Sequence, residues 1–388
     1  MEKISSGLYL HVPFCLKKCP YCDFYSLSIK VSKYLENKYL KAIKRELSLL
    51  KSFLEKKFEI KSLSFITFYA GGGTPSLLSP HFYEDLFNFL VKNFKFSPKE
   101  LTIEANPETL TLEKTKAFYE IGFNRISLGV QSFSQRGLKF LGRLHNLRDI
   151  FKALEFILKS GFKNFSLDFI FGWKGQGEKT LKKEILKALE YKPPHLSFYE
   201  LTLEKGTVFY QIFKGKKYWI KEERLLNLYK IIEETLKING YERYEISNYA
   251  LAGFKCKHNL IYWELKPYLG LGPSAVSRVE NLRWKNPKDL NYYFESLLKE
   301  NKLPLKIVEN LDNCEFAKEY IFMGLRLQEG ISLKKLKKKY NYSLSEEILD
   351  TLIKEKLIER KNKKIRLTFE GKLLHNQIVL LLWRSLYN

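Results

Sequence analysis

Hydrophobic positions along the first 240 residues switch repeatedly between two periods. Short runs rich in β-branched and aromatic residues occupy 8–12, 64–69, 100–104, 125–130, 165–170 and 195–200. Between them, 33–53, 80–93, 112–121, 147–160 and 181–191 carry apolar residues at the spacing of amphipathic helices. Gly122, Gly161 and Gly172 punctuate the joins, as helix C-caps and strand exits require. Strands alternating with helices imply βα units and a parallel sheet. Six units are too few to close an eight-stranded barrel, so the pattern predicts an open, partial (β/α)6 barrel. Ligand groups in such sheets gather at the carboxyl ends of the strands.

After residue 238 the alternation stops. Residues 241–275 are rich in Tyr, Asn and Gly and read as an irregular extension laid over the barrel mouth. From 310 onward the order is three helices, a hairpin built from 357–360 and 365–368, and a last helix to 386. That order resembles a winged helix. The expected organisation is an α/β barrel over 1–240, an extension over 241–309 and a winged-helix-like α+β domain over 310–388. Winged helices often bind DNA, but fold does not fix function.

Composition narrows this picture little. The 388 residues carry 67 Lys+Arg against 43 Asp+Glu, a formal charge of +24. The lysines are dispersed, some with acids at helical spacing (Lys33 and Glu36, Lys51 and Glu55), as on a solvated basic surface. No apolar run approaches the ~18 residues of a membrane span. No signal-peptide core follows Lys3. A cytoplasmic location is expected, with a peripheral place at the inner membrane surface open to so basic a chain.

Cysteine usage changes the picture more. Of five cysteines, Cys256 and Cys314 stand alone, while Cys15, Cys19 and Cys22 lie within eight residues with the spacing C-x3-C-x2-C. Three thiolates on one loop can ligate three corners of a 4Fe–4S cubane and leave one iron without a protein ligand. That iron can chelate the amino and carboxylate groups of S-adenosylmethionine (SAM), whose sulfonium an electron from the cluster can cleave. Structural zinc takes four protein ligands, and no nearby pair completes such a set.

With Gly71-Gly72-Gly73-Thr74-Pro75 after the next strand, the cysteine spacing resembles the radical SAM superfamily. A glycine-rich turn there lets backbone N–H groups meet the SAM amino group with no Cβ in the way. More narrowly, Glu104-Ala105-Asn106-Pro107 and the segments 124–133, 141–145 and 166–172 resemble the anaerobic coproporphyrinogen III oxidase-like family across nearly the whole chain. The resemblance implies that Glu104, Gln131, Arg143 and Asp168 contact SAM, with Tyr9, Tyr21, Gly72, Gly73 and Thr74 in the same cofactor site. An arginine suits a carboxylate; acidic and amide side chains suit ribose hydroxyls and an amine.

Two features separate the branches of that family. The oxidases carry a fourth cysteine two residues after the third; here that position is Phe24. The HemW-type heme-chaperone branch carries an aromatic there and a His-Asn-x-x-Tyr-Trp motif, present as His258-Asn259-Leu260-Ile261-Tyr262-Trp263, after a matching segment at 244–248. Resemblance to that branch implies heme as a ligand with His258 at its iron, heme-accepting respiratory proteins as partners, and no nucleic acid. Cys256 is a weaker candidate ligand, and Lys257 could meet propionates. Two loops depart from the family pattern, Gly172-Trp173-Lys174-Gly175-Gln176 and Gly272-Pro273-Ser274-Ala275. Two alternatives remain: oxygen-independent decarboxylation of coproporphyrinogen III, against which Phe24 and His258 speak, and radical modification of tRNA, suggested only by charge and the winged-helix-like tail.

Overall fold

The computed structural model describes residues 3–215, 220–305 and 307–387. Six parallel strands lie side by side in chain order: β1 (Lys3–Val12), β2 (Ser62–Gly72), β3 (Lys95–Ala105), β4 (Arg125–Gln131), β5 (Phe165–Phe171) and β6 (His195–Glu200). The helices Lys33–Phe58, Pro80–Asn93, Leu112–Glu120, Leu147–Lys159 and Glu178–Leu189 carry the chain back between them. Local chemistry sets several helix starts. Ser32, Ser79 and Thr111 each accept a backbone N–H of the first turn, and Asn146 forms a capping box with Asp149.

Period-2 alternation then sorts the side chains. Leu8, Leu10, Phe68, Ala70, Ile103, Leu128, Leu167 and Leu196 are buried against the helices in one continuous core. The opposite face of the same strands carries Tyr9, Tyr69, Glu104, Ser127 and Asp168, which meet each other across the interior. The barrel is therefore apolar outside and polar inside, the arrangement of a ligand cleft.

The extension is more regular than its composition suggests. It supplies β7 (Glu242–Arg243), β8 (Asn248–Ala250), β9 (Tyr268–Leu271), β10 (Val276–Val279), β11 (Leu282–Lys285) and β12 (Ile307–Asn310). With them the sheet has twelve strands in the order β12-β11-β10-β9-β1-β2-β3-β4-β5-β6-β8-β7. β9 runs parallel beside β1 and β8 antiparallel beside β6, so both open edges of the six-stranded barrel are paired. The helix Lys257–Trp263 corrects the expectation of a cover over the mouth. Its first N–H groups bind the carboxylate of Glu100, and His258 and Ile261 abut Gly7. Gly7, Thr67 and Glu100 are in register, each five residues before the last residue of its strand. The helix thus forms the floor of the barrel, below the cysteine loop.

Toward the C-terminal end, the helices Asn313–Gly324, Leu333–Tyr340, Glu346–Lys354 and His375–Arg384 enclose a second core that includes Ile321, Leu336, Leu349 and Leu382. A three-stranded sheet, Ile331–Ser332, Lys364–Leu367 and Ile358–Lys361 in spatial order, completes the winged-helix arrangement. Its wing turns on Asn362 and Lys363, both at positive φ (51° and 60°), as a two-residue hairpin turn requires. Arg326 ties this unit to the extension: it pairs with buried Glu245 at 3.1 Å and lies 4.4 Å from the ring centre of Trp263. Among the described residues no helix is long and apolar enough to cross a membrane.

Candidate cofactor site at the barrel mouth

The cysteine loop leaves the end of β1. Phe14–Cys15 pairs in parallel with Leu27–Ser28, which closes the loop at its base. Cys15 is buried beneath Thr74, whose hydroxyl lies 3.5 Å from Sγ; Cys19 and Cys22 are half-buried, and the Cys22 N–H donates to Cys19 O at 3.1 Å. Burial pushes the Cys15 thiol up and the Cys22 thiol to about 11. Metal binding would have to displace these thiol protons. Among the described residues no three ligating side chains already converge as around a single ion. A cubane is held at its corners and needs a wider cradle, which the neighbouring backbone provides. A Cβ on Gly73 would stand 2.7 Å from Phe14 O, 2.8 Å from Val12 O and 3.1 Å from Cys15 Sγ. Only glycine leaves that space open. Phe24 is 61 % exposed and adds no fourth ligand, so the donor set fits a cluster with one iron left for a non-protein ligand.

Around this loop the polar strand ends form one network. Nη1 of Arg143 lies 3.3 Å from both Cys19 Sγ and the Tyr21 hydroxyl, while Nη2 donates to Asn106. Asn106 in turn donates to Thr74 at 3.0 Å. The Arg143 Nε is buried with no hydrogen-bond partner among the described residues, as suits a donor to a bound ligand. Glu104 accepts the Tyr69 hydroxyl at 2.8 Å and the Gly72 N–H at 3.1 Å, and burial raises its carboxyl to about 7. Asp168 accepts three hydroxyls, from Ser127, Ser166 and Ser197, at 2.7–2.8 Å. Gln131 ends β4 at φ 64°, a strained conformation for a side-chain-bearing residue, costing about 1–3 kcal/mol. Tyr9 sits one layer lower, its hydroxyl 3.1 Å from His11 Nδ1.

His258 occupies a different place from the one its motif suggested. It is buried in the floor, with Nδ1 2.8 Å from Thr67 Oγ1 and Nε2 2.8 Å from the Tyr262 hydroxyl. Burial lowers its pKa to about 3, so the ring is neutral, one nitrogen donating and the other accepting. In this arrangement neither nitrogen is left for iron. The ring instead stacks on Tyr69 at 5.1 Å, and Tyr69 holds Glu104. Cys256 is likewise enclosed, its thiol 3.5 Å from Glu100 and pushed up to about 12, first by burial and then by that carboxylate. Lys257 sits beside it with its backbone N–H on Glu100.

Both departing loops keep a closed shape. Gln176 accepts the Gly172 N–H at 2.7 Å and donates to Glu184 at 2.8 Å, so the turn closes around Trp173 and Lys174. Ser274 takes φ 68° where the family pattern has glycine, so the left-handed turn survives the substitution at a local cost. Asn106 belongs to the family segment at 104–107 without a role implied for it, and Glu100 lies outside every matching segment. Glu100, Thr102 and Glu104 share the inward face of β3 by alternation, a pattern that marks all three as cleft residues.

Comparison with known proteins agrees with this geometry. Residues 9–188 match the radical SAM superfamily and 311–374 the HemN C-terminal domain. The chain is 35% identical over 376 residues to the heme chaperone HemW of Bacillus subtilis (strain 168), covering 95% of this chain and 97% of the relative. It is 33% identical over 386 residues to the heme chaperone HemW of Lactococcus lactis, covering 97% of each. Among solved structures, coproporphyrinogen III oxidase (HemN) from Escherichia coli, a radical SAM enzyme, covers 98% of this chain and 90% of its own at a TM-score of 0.82. At 21% identity that likeness speaks to the fold alone. With full-length relatives at this identity, the chain belongs to the HemW-type family of radical SAM proteins, within the heme-related branch that also holds the HemN oxidases.

Proposed function

We propose that the chain binds heme and passes it to acceptor proteins of respiratory membranes, with a SAM-liganded 4Fe–4S cluster in the barrel mouth. The observation that carries this reading is the near full-length match to relatives named heme chaperones. Phe24, in place of the oxidases' fourth cysteine, supports it. When bound, the cluster and SAM supply one-electron and radical chemistry.

The chain's own residues prepare the mouth for them. Cys15, Cys19 and Cys22 are the cluster ligands. Gly72 and Gly73 let backbone approach the ligand closely. Arg143, held flat by Asn106 and Tyr21, presents a guanidinium to the SAM carboxylate. Glu104, Gln131 and Asp168 offer acceptors to its amine and hydroxyls. If Arg143→Ala and Gln131→Ala left SAM affinity unchanged, these roles would be lost.

Anaerobic heme titration of the cluster-reconstituted chain tests the main reading. Saturation near one heme per chain is expected; absence of saturable binding overturns it. The fold shared with HemN keeps a second reading in view, radical decarboxylation of coproporphyrinogen III. Turnover of that substrate by the reduced, SAM-loaded chain would favour it.

A further inference from the structure

The basic charge of the chain is not evenly spread. Residues 331–345 and 361–369, both in the winged-helix unit, contain no Asp or Glu. On the helix Leu333–Tyr340, Leu336 and Tyr340 are buried in the second core, while Lys334, Lys337 and Lys338 share the exposed side. The wing adds Lys361, Lys363 and Lys364, all exposed. The two parts are joined: the Leu333 N–H donates to Lys363 O at 2.9 Å, and Ser332 pairs with Lys364. These lysines therefore form one surface.

Among the described residues none of these lysines forms an ion pair, and of the flanking carboxylates Glu346 and Glu359 are taken by Arg360 and Arg366. Lys361 and Lys364 stand directly opposite each other in the hairpin, and Lys334 lies one helical turn from Lys337 and Lys338. Like charges in both arrangements are destabilising. The surface thus carries a repulsion that an external anion relieves. Its free cations are all lysines, since both arginines of the wing are engaged. An ammonium on a flexible stem is a hydrated point charge, suited to a diffuse layer of headgroup phosphates rather than to bidentate readout of one group. Nucleic acid fits less well, because Glu346, Glu347 and Asp350 stand on the third helix, the one a winged helix would lay in a groove. Leu333, Leu336 and Tyr340 are committed to the core, so contact would be electrostatic, without insertion.

We propose that the surface formed by the helix Leu333–Tyr340 and the wing docks the chain on an anionic lipid bilayer. The attraction accumulates over the lysines that reach the headgroups and decays within a Debye length, about 8 Å at physiological salt. The proposal adds a place of work to the heme-delivery reading without depending on it: the docking face contains no residue of the cysteine loop or of the His258 motif.

The test is co-sedimentation of the cluster-reconstituted full chain with vesicles of phosphatidylcholine alone, or of equal parts phosphatidylcholine and phosphatidylglycerol. Wild type is expected to bind only the anionic vesicles and to leave them in about 1 M salt, where the Debye length shrinks to about 3 Å. The combined variant Lys334→Gln, Lys337→Gln, Lys338→Gln is expected to bind at least about tenfold more weakly. A control, Lys116→Gln, Lys152→Gln, Lys182→Gln, removes the same charge from exposed positions on the barrel helices and is expected to bind as wild type does. All the substituted side chains are exposed, so both variants keep the fold. Equal loss in the two variants would overturn the proposal, because total charge would then account for the attraction. Equal binding to neutral and anionic vesicles, or binding to neither, would also overturn it. Tighter binding of a short duplex RNA than of the anionic vesicles, weakened by the same helix substitutions, would overturn it in favour of nucleic acid.

Discussion

Gly73→Ala separates the cluster cradle from general stability. The added methyl carbon would stand 2.7 and 2.8 Å from the carbonyl oxygens of Phe14 and Val12. Carbon–oxygen contacts normally begin near about 3.3 Å, so each overlaps by roughly half an ångström. Neither carbonyl can retreat freely. Val12 O accepts the Gly73 N–H at 2.8 Å, and Phe14 is held in the short pairing with Leu27. Overpacking of this kind costs about 1–3 kcal/mol, and the displacement falls on Cys15, whose sulfur would be 3.1 Å from the new carbon. Gly122→Ala is the control. Gly122 has φ +111° with open space around it, so an alanine there meets no neighbour but stores backbone strain of about 1–3 kcal/mol far from the loop. Urea unfolding of the cluster-free proteins and iron and sulfide content after anaerobic reconstitution provide the two measurements. Both variants should lose similar stability, and only Gly73→Ala should lose most of its cluster. Full reconstitution of Gly73→Ala would refute the assignment of Gly73 as the wall of the cradle.

Three further outcomes follow from the same structure. Glu46, buried beneath Tyr293, Asn286 and the Gly272 N–H, has its carboxyl raised by burial from 4.5 to about 7. The native state keeps a proton that the unfolded chain releases, so stability falls as pH rises from 4.5 toward 7, by about 3 kcal/mol for this group. Glu46→Gln should flatten that part of the urea-midpoint profile; an unchanged slope would contradict the assignment. His258→Phe keeps a ring on Tyr69 but removes both hydrogen bonds, so equilibrium dialysis should show weaker SAM binding with heme stoichiometry preserved. Loss of heme with intact SAM affinity would restore His258 as the iron ligand. Arg326→Ala leaves the Glu245 carboxylate buried without its cation, at a cost of about 3–5 kcal/mol. Limited proteolysis should then release the winged-helix unit more readily, and wild-type resistance would show that Arg326 does not hold it.

The parts of the molecule that follow local rules were legible in the sequence. The six barrel strands announce themselves because their outward faces are apolar at every second position, and the helices between them open on capping side chains such as Ser79 and Asn146. The cysteine loop is local in sequence as well as in space. The wing was readable from the hairpin pattern around Asn362 and Lys363.

The extension was not readable, because its strands are two to four residues long and exist through pairing with β1 and β6 rather than through their own pattern. The environment of His258 was hidden for a related reason. A histidine at the start of a short helix carries no local sign of whether that helix faces solvent or the inside of a barrel; Glu100, 158 residues earlier, decides it by accepting the helix N-terminal N–H groups. The third helix of the winged-helix unit, Glu346–Lys354, begins with two glutamates where a winged helix would present its reading surface to a nucleic acid, which supports a different use of this domain.

Delivery of heme to an acceptor is read out by heme-transfer kinetics. The heme-loaded, cluster-reconstituted chain would be mixed with a respiratory apoprotein and, separately, with apomyoglobin as a passive scavenger. A carrier that hands its cargo over by contact transfers faster to the acceptor than to the scavenger, with a rate that rises with acceptor concentration. Equal, concentration-independent rates for both would mean that heme simply dissociates, and would contradict the account.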